Sequence, residues 1–214
     1  MAVRKIQRSP SLGRNYYLVD ANFLANRHIP MKFAPEGHER ERIRSCQEWW
    51  REIEAQLAVG LGRVYVPDIC IAEAFKVLAK KYYQDKWFPN RRAFSQAKEG
   101  LSDDIRIPSH VLKAATRKVA FHDISTNRDI IIAVDRFFEL LLKHKKRVQI
   151  ADLILLATAK YLFEFFDLPR HLLHIVTLDS PLREGISRIP ELPNAYDPTK
   201  AFHRASCVFT SNRS

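Results

Sequence analysis

The sequence has little of what stabilises small secreted proteins or anchors membrane proteins. Its few cysteines lie far apart and form no CxxC pair: Cys46, Cys70 and Cys207. Such a set argues against a disulfide framework and a thiolate zinc site, and it favours a reducing cytoplasm. The most apolar segment, residues 150–166, is interrupted by the charged residues Asp152, Lys160 and Glu164. We therefore predict no membrane-spanning helix and no membrane partner.

Acidic residues are fewer than basic residues in this sequence. The chain of 214 residues has 35 Lys and Arg against 24 Asp and Glu, a formal net charge of +11. This excess favours a polyanionic partner, although a basic protein without one has the same composition. The length fits one domain, and a hydrophobic fraction of 46% is enough for its core.

Composition along the chain predicts a central domain with appended segments. Residues 1–14 carry basic side chains without an acid, as a flexible arm does. Residues 15–193 form the predicted domain, in which the polar residues 85–108 are an insertion with a short helix of their own. Residues 194–214, after a proline-rich stretch, are a predicted C-terminal tail.

Short apolar runs alternate with helical patterns. Strands are predicted at residues 16–19, 64–66, 122–125 and 174–178. Helices are predicted at residues 23–29, 35–59, 68–83, 109–119, 127–143 and 151–165, with a short one after Pro181. This alternation predicts an α/β fold with a mostly parallel central sheet and helices on both faces.

Four acids are predicted to gather at one edge of this sheet. Asp20 and Asp179 each follow an apolar strand, so both lie at its carboxyl edge. Asp152 begins the helix that leads back to the strand before Asp179. Glu73 lies in the second turn of the helix after residues 64–66. Ligands of such sheets bind beyond the carboxyl ends of the strands, which makes this edge the predicted site.

Such a cluster predicts a cation. Carboxylates at close range repel one another, and burial adds a desolvation cost. Mg²⁺ or Mn²⁺ offsets both, because these hard cations prefer oxygen ligands. A metal-activated water can attack a phosphodiester, so the cluster predicts metal-dependent phosphodiester hydrolysis.

Each acid also has a purely structural interpretation. Asp20 could cap the next helix, Asp152 could favour a helix dipole, and Asp179 could begin a short helix. Glu73 could form a surface ion pair with either of two lysines, Lys76 or Lys80. Only the joint placement of the four acids favours a site.

The segments around these acids resemble the motifs of the PIN-domain nucleases, a family of toxin ribonucleases and RNA-processing enzymes. Residues 17–22 (YLVDAN) resemble the first motif and residues 71–73 (IAE) the second. Residues 150–159 (IADLILLATA) are the most specific match, to the third-acid helix, and residues 176–179 (VTLD) resemble the fourth motif. The resemblance spans residues 16–190.

The resemblance implies a three-layer PIN-like fold and an endoribonuclease that hydrolyses single-stranded RNA with Mg²⁺ or Mn²⁺. Asp20, Asp152 and Asp179 would hold the metal, and Glu73 would help to orient metal and water. The polar residues implied beside them are Asn22, Thr177 and Ser180.

The resemblance also bears on partners. Family members often form homodimers, which the aromatic residues Trp49 and Trp50 would permit if they are exposed, as we expect. A toxin member would bind an antitoxin protein. The chain is longer than the compact toxins, which weighs against a simple toxin role.

Two basic segments are candidates for RNA contact. The turn after residue 142 lies near the acidic edge, where its cations could guide phosphates or simply form a solvated helix end: Lys143, Lys145, Lys146 and Arg147. Residues 86–94 mix aromatic residues with arginines. That mixture suits base stacking, but a satellite core cluster or a dimer contact is the favoured interpretation.

Three other functions compete with the ribonuclease. An aspartyl phosphotransferase is disfavoured, because its pattern needs a second Asp where Asn22 stands. A non-catalytic PIN-like RNA-binding or scaffold module has the same fold. A DNA nuclease has the same acids, so the sequence leaves this alternative open.

Overall fold

A computed structural model describes residues 13–105, 121–144, 146 and 148–200. The strands are β1 (Asn15–Val19), β2 (Gly62–Pro67), β3 (Phe121–Ile124), β4 (Leu173–Val176) and β5 (Ala195–Tyr196). The helices are α1 (Ala21–Arg27), α2 (His38–Ala58), α3 (Asp68–Tyr83), α4 (Arg91–Ile105), α5 (Arg128–Lys143), α6 (Ile150–Phe166) and α7 (Ser180–Ile186). The strands form one parallel sheet in the order β3-β2-β1-β4-β5, flanked by the helices. The predicted three-layer α/β fold is confirmed.

Strand β1 lies at the centre of the sheet, and all five of its residues are buried. A continuous apolar run is what a strand covered on both faces requires. Val19 is paired with Val176 of β4, and the backbone N–H of Asp20 donates to the Val176 carbonyl at 3.1 Å. The residues that follow β1 and β4 therefore lie side by side at the carboxyl edge.

The aromatic residues of α2 contradict their predicted exposure. Trp49 is 0% exposed and Trp50 is 2% exposed. The Trp50 ring stacks on Phe23 with ring centroids 4.7 Å apart, and its indole N–H donates to the Phe23 carbonyl at 3.0 Å. Both residues belong to the core-facing side of a long amphipathic helix, so the expectation that they are exposed was wrong.

The insertion is more regular than predicted. Its helix α4 has 15 residues and buries Phe94, Ala97 and Leu101, whose spacing places them on one face. The Phe94 ring stacks on Tyr82 of α3 at 4.6 Å, and Phe88 lies edge-on to Phe94 at 5.9 Å. The aromatic residues of this segment thus join the core, as the favoured interpretation predicted.

Part of the predicted tail is a strand. Residues 195–196 form β5, which pairs with β4: Ile175 N–H donates to the Asn194 carbonyl at 3.0 Å. A two-residue strand after several prolines has no periodicity from which it could be predicted. The predicted helix at residues 109–119, most of the basic arm and residues 201–214 lie outside the described residues.

Helix α5 has apolar residues on more than its core face. Ile130, Phe137 and Leu141 are buried. Other apolar side chains of the helix are exposed, at fractions of 46% to 62%: Ile131, Ile132, Phe138 and Leu142.

In the described part of the chain, no helix combines the length and apolarity needed to cross a membrane.

Candidate active site

Asp20 is fixed at the carboxyl edge by hydrogen bonds on both of its oxygens. Its Oδ1 accepts from the backbone N–H of Phe23 at 2.6 Å, which caps α1. Its Oδ2 accepts from the Thr177 hydroxyl at 2.5 Å and from the Leu178 N–H at 3.2 Å. Only 7% of the residue is exposed, and burial raises the pKa of this carboxyl above its usual range, with Asp179 adding to the rise.

Thr177 connects two of the acids. Besides donating to Asp20, its hydroxyl oxygen accepts from the Asp179 N–H at 3.0 Å. Asp179 in turn caps α7, because its Oδ1 accepts from the Leu182 N–H at 2.6 Å. The end of β4 therefore holds the carboxylate of Asp20 and the backbone of Asp179 through one buried threonine.

Asp152 lies in the first turn of α6. Its Oδ2 accepts from the Gln149 N–H at 2.9 Å, and the Gln149 side chain completes a capping box with this turn. Burial raises the pKa of Asp152 from 3.8 to about 6. The Gln149 hydrogen bond opposes this rise, whereas the charges of Asp179, Asp20 and Glu73 add to it.

Glu73 approaches the same region from α3. It is half-buried and forms neither a hydrogen bond nor an ion pair with any described residue, so the alternative of a surface ion pair with Lys76 or Lys80 is not seen. Cys70, one turn earlier, is 2% exposed. Burial raises the pKa of this thiol, and the charges of Asp20, Glu73 and Asp152 raise it further. The four predicted acids thus share one electrostatic neighbourhood.

The donors suit a hard divalent cation, but the carboxylates are not closed around a common point. Asp152 and Asp179 each use one oxygen for a helix cap and have no hydrogen bond to the other from the described residues. Among these residues, no group of three His, Cys, Asp or Glu side chains is arranged to hold a metal ion. A cation would require these side chains to turn toward one another.

The remaining predicted site residues are distributed around the acids. Thr177 contacts Asp20, as described above. Asn22 is exposed and lines a cleft together with Glu73. Ser180, at the start of α7, is exposed, and the structure gives it no side-chain hydrogen bond with a described residue. Among the described residues, neither Asn22 nor Ser180 forms a side-chain hydrogen bond with one of the four acids.

The predicted basic turn is partly described. Lys143 ends α5 and is exposed. Lys146 forms an ion pair with Glu184 of α7. Glu184 follows Asp179 by five residues, so this pair lies on the flank of the acidic edge. Lys145 and Arg147 lie outside the described residues.

Two supporting residues escaped the sequence analysis. Gln149 caps the turn that carries Asp152. A polar residue three positions before an acid is the sequence signal of a capping box, and this signal could have identified Gln149. Arg183 donates to the Thr177 carbonyl at 2.9 Å and pairs with Asp197 at 2.6 Å. Nothing local in the sequence indicates this pairing, because Asp197 follows β5.

No protein-family model matches the chain, and no curated protein matches it in sequence. Several solved structures are similar in shape. The VapBC2 complex of Rickettsia felis, bound to a fragment of promoter DNA, is 12% identical over 85% of this chain and 98% of the other, with a TM-score of 0.49. FitAcB from Neisseria gonorrhoeae is 15% identical over 85% and 97%, also at 0.49.

VapBC-1 from nontypeable Haemophilus influenzae is 15% identical over 86% of this chain and 99% of the other, with a TM-score of 0.47. The chain resembles the PIN-domain nucleases in its four acidic motifs and in the parallel α/β sheet that brings the motifs to one edge.

Proposed function

We propose that this protein is a metal-dependent endoribonuclease that hydrolyses phosphodiester bonds of single-stranded RNA. The observation that carries the proposal is the position of Asp20 and Asp179 side by side at the carboxyl ends of β1 and β4, where Thr177 bonds to both. Burial and the charges of Asp179, Asp20 and Glu73 together raise the pKa of Asp152, in the first turn of α6. Clusters of carboxylates with raised pKa values are costly to fold and are concentrated at functional sites.

The chain's own residues would hold the site in place. Asp20 cannot turn freely, because three donors fix its two oxygens. Asp152 and Asp179 each keep one carboxylate oxygen for a ligand, and Glu73 is free of ion pairs with the described residues. We propose that these four residues bind Mg²⁺ or Mn²⁺, which would supply positive charge to the phosphate and activate water at neutral pH.

The basic turn is a proposed RNA contact. Phosphates would be attracted toward the acidic edge by the exposed Lys143 and by the neighbouring Lys145 and Arg147. Lys146 would have the same effect if it exchanged its Glu184 partner for a phosphate. It remains a prediction that the site includes the polar residues Asn22, Thr177 and Ser180. The homodimer and the antitoxin partner that the resemblance implies also stay predictions.

A second function is favoured by one observation. The described side chains do not form a ready metal site. A non-catalytic RNA-binding or scaffold module with this fold would have the same caps at Asp20, Asp152 and Asp179. A DNA nuclease is the third alternative, because the acids do not distinguish RNA from DNA.

The deciding experiment compares wild type with Asp152→Asn on a mixed pool of single-stranded RNA and on matching DNA. Each protein is assayed with Mg²⁺, with Mn²⁺ and with chelator. We expect wild type to cut RNA only with metal and Asp152→Asn to lose more than about 100-fold in kcat/KM, or about 2.7 kcal/mol of transition-state stabilisation.

Asp129→Asn is the matched control, since Asp129 is the exposed first-turn acid of α5. It should cut RNA like wild type. Metal binding is followed separately by the rise in Tm with added Mn²⁺, which should be smaller in Asp152→Asn. Pure, folded wild type that binds RNA in a salt-sensitive manner but cuts nothing would establish the non-catalytic module, and cleavage of DNA alone would establish the DNA nuclease.

A further inference from the structure

We propose that a groove along α3 binds the single-stranded substrate next to the acids, with Lys76 and Lys80 contacting phosphates and Tyr83 stacking on a base. This inference rests on the proposed function for the identity of the ligand. It assigns substrate contacts to a surface that the basic turn at residues 143–147 does not include.

The groove begins at the acidic site. A cleft of about 400 Å³ lies between the starts of α1 and α6 and the exposed side of α3. Asn22, Glu73 and Gln149 line its acidic end, and Lys76, Lys80 and Tyr83 line the rest. A second cleft, of about 550 Å³, shares Lys76, Ala79 and Tyr83 with the first and continues to α4, where Lys98 lines it. The two clefts therefore adjoin along α3 and are together called the groove.

The positions on α3 follow a single side of the helix. Lys76, Lys80 and Tyr83 come three, seven and ten residues after Glu73, which places them within a stripe about 80° wide. At about 1.5 Å per residue, they lie roughly 4, 10 and 15 Å along the helix axis from Glu73. A chain bound at the acids would therefore pass the two lysines before it reached the tyrosine.

The two lysines of this stripe have no acidic partner among the described residues. Lys76 and Lys80 are exposed and form no ion pair with a described residue. Lys81, on the same helix but outside this stripe, pairs with Asp85 at 3.0 Å and lies over the Trp87 ring at 3.5 Å. Cations that face an open groove without a protein partner are complementary to a polyanion, and phosphates next to the carboxylates would need such cations.

Tyr83 offers an aromatic surface in the same groove. It is 60% exposed, whereas the nearby Phe94 is 7% exposed and closed to a ligand. Edge-type contacts hold its ring against Tyr82 at 4.7 Å and against Phe94 at 5.9 Å. A supported but exposed ring suits stacking of an unpaired base, which a duplex does not provide.

The test measures binding of a labelled mixed-sequence single-stranded RNA by fluorescence anisotropy, in the full chain carrying Asp152→Asn so that the RNA stays intact. In that background, Lys76→Gln/Lys80→Gln should weaken binding about tenfold. It should also reduce the slope of log K against log salt by about 1.4, the value for two phosphates of a single strand. Tyr83→Ala should weaken binding at least about fivefold, and Tyr83→Phe should restore it to within about twofold, since stacking needs the ring and not the hydroxyl.

Arg44→Gln/Arg51→Gln is the matched control, because it removes two exposed charges of α2 that line neither cleft. Equal losses in the control and in the lysine variant would overturn the groove, as would normal RNA binding by Tyr83→Ala. Loss in Lys143→Gln with none in the α3 variants would instead place the RNA at the basic turn.

The same substitutions with Asp152 intact separate this inference from the proposed function. If wild type cuts RNA, the α3 variants should raise KM and change kcat less than about threefold. If wild type cuts nothing but the α3 variants still weaken binding, the nuclease fails and the RNA groove stands. If wild type cuts RNA and the α3 variants bind and cut it normally, the groove fails and the nuclease stands.

Discussion

Asp152 combines two roles that have opposite effects on stability. Its cap to Gln149 stabilises the start of α6, whereas its burial beside three other acids penalises its charge. The two effects are separable, because an asparagine oxygen can accept the same hydrogen bond without a charge.

At the scale of this residue, we expect Asp152→Asn to raise the free energy of unfolding by about 1–2 kcal/mol at pH 7 in the presence of chelator. A rise in pKa from 3.8 to about 6 corresponds to about 3 kcal/mol, which is reduced here because the side chain is partly exposed to solvent. The folded state binds more protons than the unfolded state between these two pKa values. The wild type therefore loses stability as pH rises from about 4 to 6, and the advantage of the variant vanishes below about pH 4.

Urea denaturation from pH 4 to 7.5 measures this difference. The control Asp129→Asn removes an exposed acid from a first helical turn and should lose a few tenths of a kcal/mol rather than gain stability. An Asp152→Asn protein that is less stable than wild type at pH 7 would show that the cap outweighs the repulsion.

The positions of the acids were predictable from the sequence, whereas their contacts were not. Asp20 and Asp179 each follow an apolar strand, and a strand end fixes the edge of the sheet at which a residue lies. Which oxygen accepts from Thr177 depends on the register of β1 and β4, which no local pattern contains. The burial of Trp49 was missed for a related reason: a residue of an amphipathic helix is exposed or buried according to the elements that cover it.

At the scale of elements, β5 is joined to the site by a largely buried ion pair. Arg183 of α7 is 15% exposed and Asp197, just after β5, is 6% exposed. The same arginine donates to the Thr177 carbonyl at the end of β4. Residues on either side of position 194 therefore pack together.

We expect Arg183→Met to lower the free energy of unfolding by about 3 kcal/mol, because it leaves the Asp197 carboxylate buried without its cation. Arg183→Met/Asp197→Asn should recover at least half of this loss, since the unpaired charge is gone. Chemical denaturation of the two variants at pH 7 measures both values.

Arg136→Met provides the comparison. Arg136 pairs with Glu191, but its side chain is 54% exposed, so the change should be below about 1 kcal/mol. A loss at Arg183 no larger than at Arg136 would mean that residues after 194 contribute little to the fold.

Long elements were predicted more accurately than short ones. Helix α3 begins and ends where its pattern predicted, because Pro67 and Asp68 mark its start and its apolar face has the helical period. Strand β5 has two residues, too few for any period. Glycine in a sequence usually indicates a break in a helix, yet helix α4 continues through Gly100. A β-carbon at this position would lie 3.0 Å from the His28 ring.

For the whole molecule, the alternation of strands and helices was enough to predict the fold class, while strand order needed the structure. The order β3-β2-β1-β4-β5 places the acid-bearing ends of β1 and β4 next to each other and away from the β3 edge. The acids of this edge belong to a chain whose formal net charge is +11. The proposed attraction of RNA by the molecule and the proposed binding of cations by the site would thus depend on charges of opposite sign.

The central place of β1 also has a consequence for amide hydrogen exchange. The Asp20 amide is bonded to Val176 between two inner strands, whereas the Thr177 amide is bonded to Tyr196 of the edge strand. Opening of either edge strand leaves the first bond intact, whereas opening of β5 breaks the second. We expect native-state exchange to show the Asp20 amide near the rate of global unfolding and the Thr177 amide at least tenfold faster; equal rates would mean that β5 opens only with the whole domain. If the two rates differ as expected, Asp20 keeps its position at the centre of the sheet while the edge strand β5 opens and closes.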